Sequence, residues 1–126
     1  MWFIETTYKP YSVMDIYHGN YVDPSLGVFA QTHFYSGNYE VYPWNQDYGW
    51  TRIYLNSPTF ESLSTYWWTG STYINQKKGV IAHEMGHVFG LTHAGWSYRL
   101  MWPHGDSVMV DYPTSDEING VNALYP

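Results

Sequence analysis

The stretch at residues 80–93, VIAHEMGHVFGLTH, constrains this chain more than any other. His83, Glu84, His87, Gly90 and His93 occupy the fixed positions of the pattern H-E-x-x-H-x-x-G-x-x-H. On a helix, residues four apart share a face, so His83 and His87 can offer two imidazole nitrogens to one metal ion. Glu84, one step on from His83, points near that ion without serving as a ligand, which suits a general base. Gly90 can take the left-handed conformation that ends a helix, and the turn swings His93 back as a third ligand. Three histidines leave the fourth tetrahedral position open to water, the pattern of a catalytic rather than a structural Zn2+. The competing reading is a helix end that carries three histidines by accident. At ordinary residue frequencies that coincidence arises in about one chain of this length in 10⁵.

A chain of 126 residues is expected to be one domain, 1–126, able to bury about two-thirds of its unfolded surface. Its 14 Tyr, 7 Trp and 5 Phe are more rings than such a core can hold. Some of them are therefore expected to line a groove or the surface. A net charge of −6, without a basic patch, argues against a nucleic-acid partner. No run of 18 apolar residues is present, so no membrane span is expected. Residues 1–15 lack a charged start followed by an apolar run, and no signal peptide is visible. With no cysteine there is no disulfide framework to read.

Aromatic and β-branched residues predict strands at residues 2–7, 12–17, 28–35 and 50–56. In the second, Val13, Asp15 and Tyr17 would face one way, and Met14 and Ile16 the other. His33, alone in its strand, reads as an ordinary surface or core histidine. Residues 36–49 read as loop, punctuated by Gly37-Asn38, Pro43 and Asp47. Residues 59–73 show no clear period, and Trp67-Trp68 suits a groove wall, a membrane-surface contact or core equally. Asn75 is a candidate N-cap for a helix running to about Phe89. Gly79 and Gly86 each cost that helix about 1 kcal/mol of propensity against Ala, so packing must hold it. A second helix is expected from a cap at Thr114 or Ser115, with Ile118, Val121, Asn122 and Tyr125 facing inward.

Beyond the histidine motif, Leu100-Met101-Trp102-Pro103 is similar to the Met-turn sequence L-M-Y-P of the matrixins. Residues 115–125, SDEINGVNALY, resemble that family's C-terminal helix pattern D-D-I-x-G-I-x-x-L-Y. The chain thus resembles a metzincin metallopeptidase of the matrixin branch (the matrix metalloproteinases and their bacterial relatives). The clear match covers residues 79–126. The resemblance implies an α+β, zincin-like fold: a small twisted mixed β-sheet, an active-site helix carrying the motif, and a C-terminal helix. Matrixin catalytic domains ordinarily open with a strand and a long helix. No amphipathic period of that length precedes Asn75, so the N-terminal helix is expected to be missing and the domain truncated.

For activity, the resemblance implies a zinc endopeptidase with one catalytic Zn2+ on His83, His87 and His93. Glu84 would take a proton from water and pass it to the leaving amine. Met101 would form the Met-turn, an apolar floor beneath the metal, with Met109 as the alternative. Trp102-Pro103 would line the specificity pocket. The strand at residues 28–35 would bind an extended peptide along its edge. Its partners would be protein or peptide substrates, its state monomeric and its location extracellular. Two other functions remain open on sequence: a zinc-binding but inactive pseudoenzyme, and an aromatic carbohydrate-binding module.

Overall fold

The structure, a computed structural model, describes residues 4–8 and 12–126. Four strands, β1 (Met14–Gly19), β2 (Ala30–Ser36), β3 (Tyr39–Val41) and β4 (Trp50–Asn56), form one sheet in the order β1-β4-β2-β3. β1 runs parallel to β4, whereas β2 is antiparallel to both β4 and β3. A short helix α1 (Ser57–Phe60) and a two-stranded hairpin of β5 (Trp67–Trp68) and β6 (Tyr73–Ile74) lead into α2 (Gln76–Val88). Irregular chain then connects to α3 (Ser115–Leu124). This is the expected α+β class with a mixed sheet, a motif-bearing helix and a C-terminal helix.

Alternation along β4 sets the two faces of the sheet. Thr51, Ile53 and Leu55 are buried toward α2, while Trp50, Arg52 and Tyr54 point to the other side. Ile53, Leu55, Phe60, Leu63 and Val80 form the main core, with Met14, Phe29, Ile81, Met85 and Val88 packed against them. Each such side chain stabilises the fold by roughly 1.5–3 kcal/mol when fully buried, enough to hold a helix weakened by two glycines. A second cluster of Ile74, Leu100, Val108 and Val110 takes in Trp67 and Trp102. It fastens the hairpin and the irregular segment to the flank of α2. On the far face of the sheet, the Arg52 guanidinium lies 4.7 Å from the Tyr17 ring centre and 5.2 Å from that of Trp50. Tyr35 and Trp50 stack at 4.2 Å. Part of the aromatic surplus therefore shields one cation on the outer face.

β2 is an edge over half its length. β3 pairs only with Phe34, Tyr35 and Ser36, and among the described residues no strand covers residues 30–33 on that side. The Asn56 N–H donates to the Phe29 carbonyl at 2.9 Å. With the β2–β4 register, this directs the backbone groups of Ala30 and Thr32 to the open side.

Several expectations are corrected. Residues 4–7 form no strand, and Ile4 is exposed; Trp2 and Phe3 of that expected strand lie outside the described residues. The supposed loop at 36–49 contains β3, because Gly37-Asn38 is the two-residue turn of a hairpin that pairs Ser36 with Tyr39. On α3, Ile118, Asn122 and Tyr125 face solvent, and Glu117 is the buried residue. The apolar period there is overridden by a hydrogen-bond demand at the helix start, described below. Trp67 is core and Trp68 is half exposed. Among the described residues, only the four-residue α1 and a single 3-10 turn at Pro24–Leu26 precede α2 as helix. Val13 and Ile16 of the β1 region are left exposed.

Candidate metal centre

Asn75 starts α2 as expected. Its side chain accepts the Lys78 N–H at 3.0 Å, while its own N–H donates to the Asp111 carboxylate at 2.8 Å. The helix packs across β2 and β4, which turns His83, Glu84 and His87 toward the open end of β2. At its C-terminus the Gly90 N–H bonds the His87 carbonyl at 2.9 Å, and the Leu91 N–H reaches back to Gly86 at 3.0 Å. This is a Schellman ending, and Gly90 adopts the positive φ of 93° that it requires. The reversal carries His93 back beside the helix.

Candidate ligand nitrogens of His83, His87 and His93 all lie within 4.8 Å of one another. The Nε2 atoms of His87 and His93 are 3.2 Å apart. His83 Nδ1 sits 2.9 Å from the Leu100 carbonyl, and His87 Nδ1 sits 2.8 Å from that of Leu91. A carbonyl oxygen only accepts, so both Nδ1 atoms carry the proton and both Nε2 atoms present lone pairs inward. Neutral imidazoles with this orientation are what zinc binds. Two ligands on tetrahedral arms of about 2.0–2.1 Å stand about 3.3 Å apart, close to the His87–His93 spacing. The donor set fits the ion.

Electrostatics point the same way. Burial pushes His83 down to about 4. Burial also lowers His87 and His93. In all three, burial favours the neutral imidazole, the form that a metal ion binds.

Glu84 is outside the three-histidine group. It is 6 % exposed, and its Oε2 accepts the Thr32 hydroxyl at 2.5 Å. Burial pushes its carboxyl up to about 7, against the opposing effect of the Thr32 bond. A carboxyl held there can both take and return a proton near neutrality. Two hollows meet at Glu84 and His93. One, about 500 Å3, is lined by Phe29, Val80, Leu100, Trp102, Pro103 and Gly105 among others. The second, about 530 Å3, lies along β2 past Tyr42, Trp44 and Leu91.

Met101 lies under the helix. It is 2 % exposed, and its Sδ would stand 2.3 Å from a Cβ placed on Gly86, so a side chain at Gly86 would push the methionine aside. Its carbonyl accepts the Ala94 N–H at 2.8 Å, and its N–H donates to Glu117 at 3.1 Å. Met109 sits elsewhere, with its N–H on the Ser97 carbonyl at 2.8 Å. His33 pairs with Glu40 at 2.6 Å on the outer side of β2. Sequence reasoning missed Thr32, Glu117 and the two carbonyls that fix the imidazoles. Only Glu117 left a signal, being third after a Thr cap.

Among the described residues, no helix is long and apolar enough to cross a membrane. Neither a curated protein nor a solved structure matches the chain. The family model of the matrixins, which are zinc-dependent metallopeptidases, matches residues 12–126, and the chain belongs to that family.

Proposed function

We propose that the protein is an endopeptidase with one catalytic Zn2+ held by His83, His87 and His93, and Glu84 as its general base. The observation that carries this reading is the buried Glu84 carboxyl beside three converging imidazoles, at the junction of two hollows along an open strand edge. A zinc ion bound there supplies Lewis acidity toward a carbonyl oxygen and a water molecule. The chain's own residues do the rest. Backbone groups of Ala30 and Thr32 offer hydrogen bonds to an extended peptide laid along β2, which fixes its register. Thr32 also steadies Glu84 through its hydroxyl. Glu84 takes the proton from the attacking water at a carboxylate oxygen and returns it to the leaving amine. Trp102 and Pro103 form a wall of the hollow that receives a substrate side chain. Met101 acts as the Met-turn, an apolar floor below the histidines.

The domain is read as a single unit over 1–126, monomeric, secreted as matrixins typically are, and acting on protein or peptide substrates. A second reading, zinc binding without hydrolysis, is favoured by the exposed Val13 and Ile16 beside β1, since an uncovered sheet margin weakens a domain. Metal quantification paired with a fluorescent protein-substrate assay separates the two. Stoichiometric zinc with hydrolysis supports the peptidase, and zinc without it supports the second reading. A protein that takes up no zinc overturns both.

A further inference from the structure

The Schellman ending of α2 satisfies the carbonyls of Gly86 and His87, and the Phe89 N–H serves that of Met85 at 3.2 Å. It leaves the Val88 carbonyl, one residue after His87, without a partner from the helix. That oxygen accepts the Tyr48 hydroxyl at 2.7 Å. The Tyr48 ring in turn stands edge-on to Phe34 of β2, with centroids 4.8 Å apart. A Cβ on Gly90 would come within 3.8 Å of the same hydroxyl. Phe34 and residues 90–93 line one hollow.

We propose that Tyr48 is a positioning residue: a strut between the substrate-side strand β2 and the end of α2 that holds the turn carrying His93 against His87. Phe34 fixes the ring from one side, and the hydroxyl pins the last helical carbonyl on the other. Without that bond the Val88 carbonyl must seek water. The turn at residues 89–93 then keeps its own backbone bonds, the His87–Leu91 contact and the packing of Gly90 and Leu91 near α3, but loses its tie to β2. Since His93 reaches the site only through this turn, slack there spreads the three nitrogens apart. The inference rests on the three-histidine zinc site proposed above.

The test is Tyr48→Phe, which removes one oxygen and keeps the ring. Zinc affinity is read by competition with a chromogenic chelator, and site geometry by the visible spectrum of the cobalt-substituted protein. Groups that support metal ligands typically change metal affinity by about 10–100-fold, and Tyr48→Phe is expected at the lower end, about 10-fold weaker. Its cobalt bands should shift or lose intensity. Phe34→Leu, which slackens the ring contact but keeps the hydroxyl, should weaken zinc less. Tyr39→Phe, at a residue 80 % exposed, should change neither readout. A merely structural role would lower the metal-free melting temperature and leave zinc affinity and cobalt spectrum alone, and that result overturns the inference. If the unaltered protein binds no zinc, the zinc-site reading fails instead, so the two failures are distinct.

Discussion

Glu117 Oε1 accepts the Met101 N–H at 3.1 Å, joining the first turn of α3 to the segment beneath the histidines. Its Oε2 takes the Thr114 N–H at 2.8 Å and the Thr114 hydroxyl at 2.6 Å. Burial pushes this carboxyl up, but the bonds from Thr114 and Met101 together outweigh it and hold it below its ordinary value. Glu117→Ala should cost about 2–3 kcal/mol, since it strands a buried N–H along with the lost bonds. With the folded value depressed, the contribution is complete above the unfolded carboxyl value and disappears as pH falls through the folded one. The melting temperatures of parent and variant should therefore differ most at neutral pH and converge in strong acid. An equal gap at every pH would remove the carboxylate from the explanation.

Met101 and Met109 can be ranked by stability. Met101→Ala empties the space under Gly86 and should cost about 2–5 kcal/mol, whereas Met109→Ala, at a partly exposed site, should cost less. Chemical denaturation of the two variants gives the order directly. The reverse order would place the Met-turn at Met109.

Glu84→Gln keeps the shape of the side chain and removes its basicity. Zinc content should be unchanged, and turnover of a protein substrate should fall at least ~10²-fold. Near-normal turnover would take the general base elsewhere.

His93→Ala leaves two imidazoles on α2 and none from the turn. Zinc affinity should collapse, as a site with half its protein ligands must fill the gap with water. Retention of zinc at the parent's affinity would mean that the ion has a different ligand set.

Acid should act on the histidines even in metal-free protein. Their folded values lie below the unfolded one of about 6.5, with His83 at about 4. The unfolded chain thus binds more protons between these limits. The stabilisation is full above the unfolded value and is lost as pH falls through the folded ones. Glu84, pushed up to about 7, works in the opposite sense, and its contribution is lost as pH rises through that value. The shifts of His83 and Glu84 are similar in size and oppose each other, and His87 and His93 add to the histidine side, so the metal-free melting temperature should drop from pH 7 to pH 4, and more steeply in Glu84→Gln. Zinc should raise the melting temperature at pH 7 and do so less at pH 5, because protons compete for its ligands. A chelator titration followed by thermal melts checks both slopes.

Much of the site was legible because its parts lie close in sequence and obey helical spacing. His83, Glu84, His87 and the Gly90 turn needed only one helix and its ending to fall into place. The middle strand β4 was legible end to end, since its Ile and Leu alternate cleanly with outward rings. What escaped had causes that single-chain periodicity does not carry. β3 is three residues long and owes its existence to pairing with β2. Glu117 is buried because Met101, 16 residues upstream, needs an acceptor. Thr32 and Tyr48 are ordinary in their own segments, and they acquire roles only when the sheet brings them to α2. The inward face of α3 was misjudged for the same reason: hydrogen bonding to a distant segment decided its rotation.

The unpaired row at residues 30–33 also bears on how this protein behaves in concentrated solution. A strand edge that accepts one extended peptide accepts any other, including the matching strand of a second copy. Covering it would close the cleft, so the safeguard must come from outside the row. A net charge of −6 at neutral pH supplies long-range repulsion between copies. That repulsion vanishes near the isoelectric point of about 5.3. Mildly acidic solution is therefore where self-association through β2 should set in first, and a bound peptide inhibitor should delay it by occupying the edge.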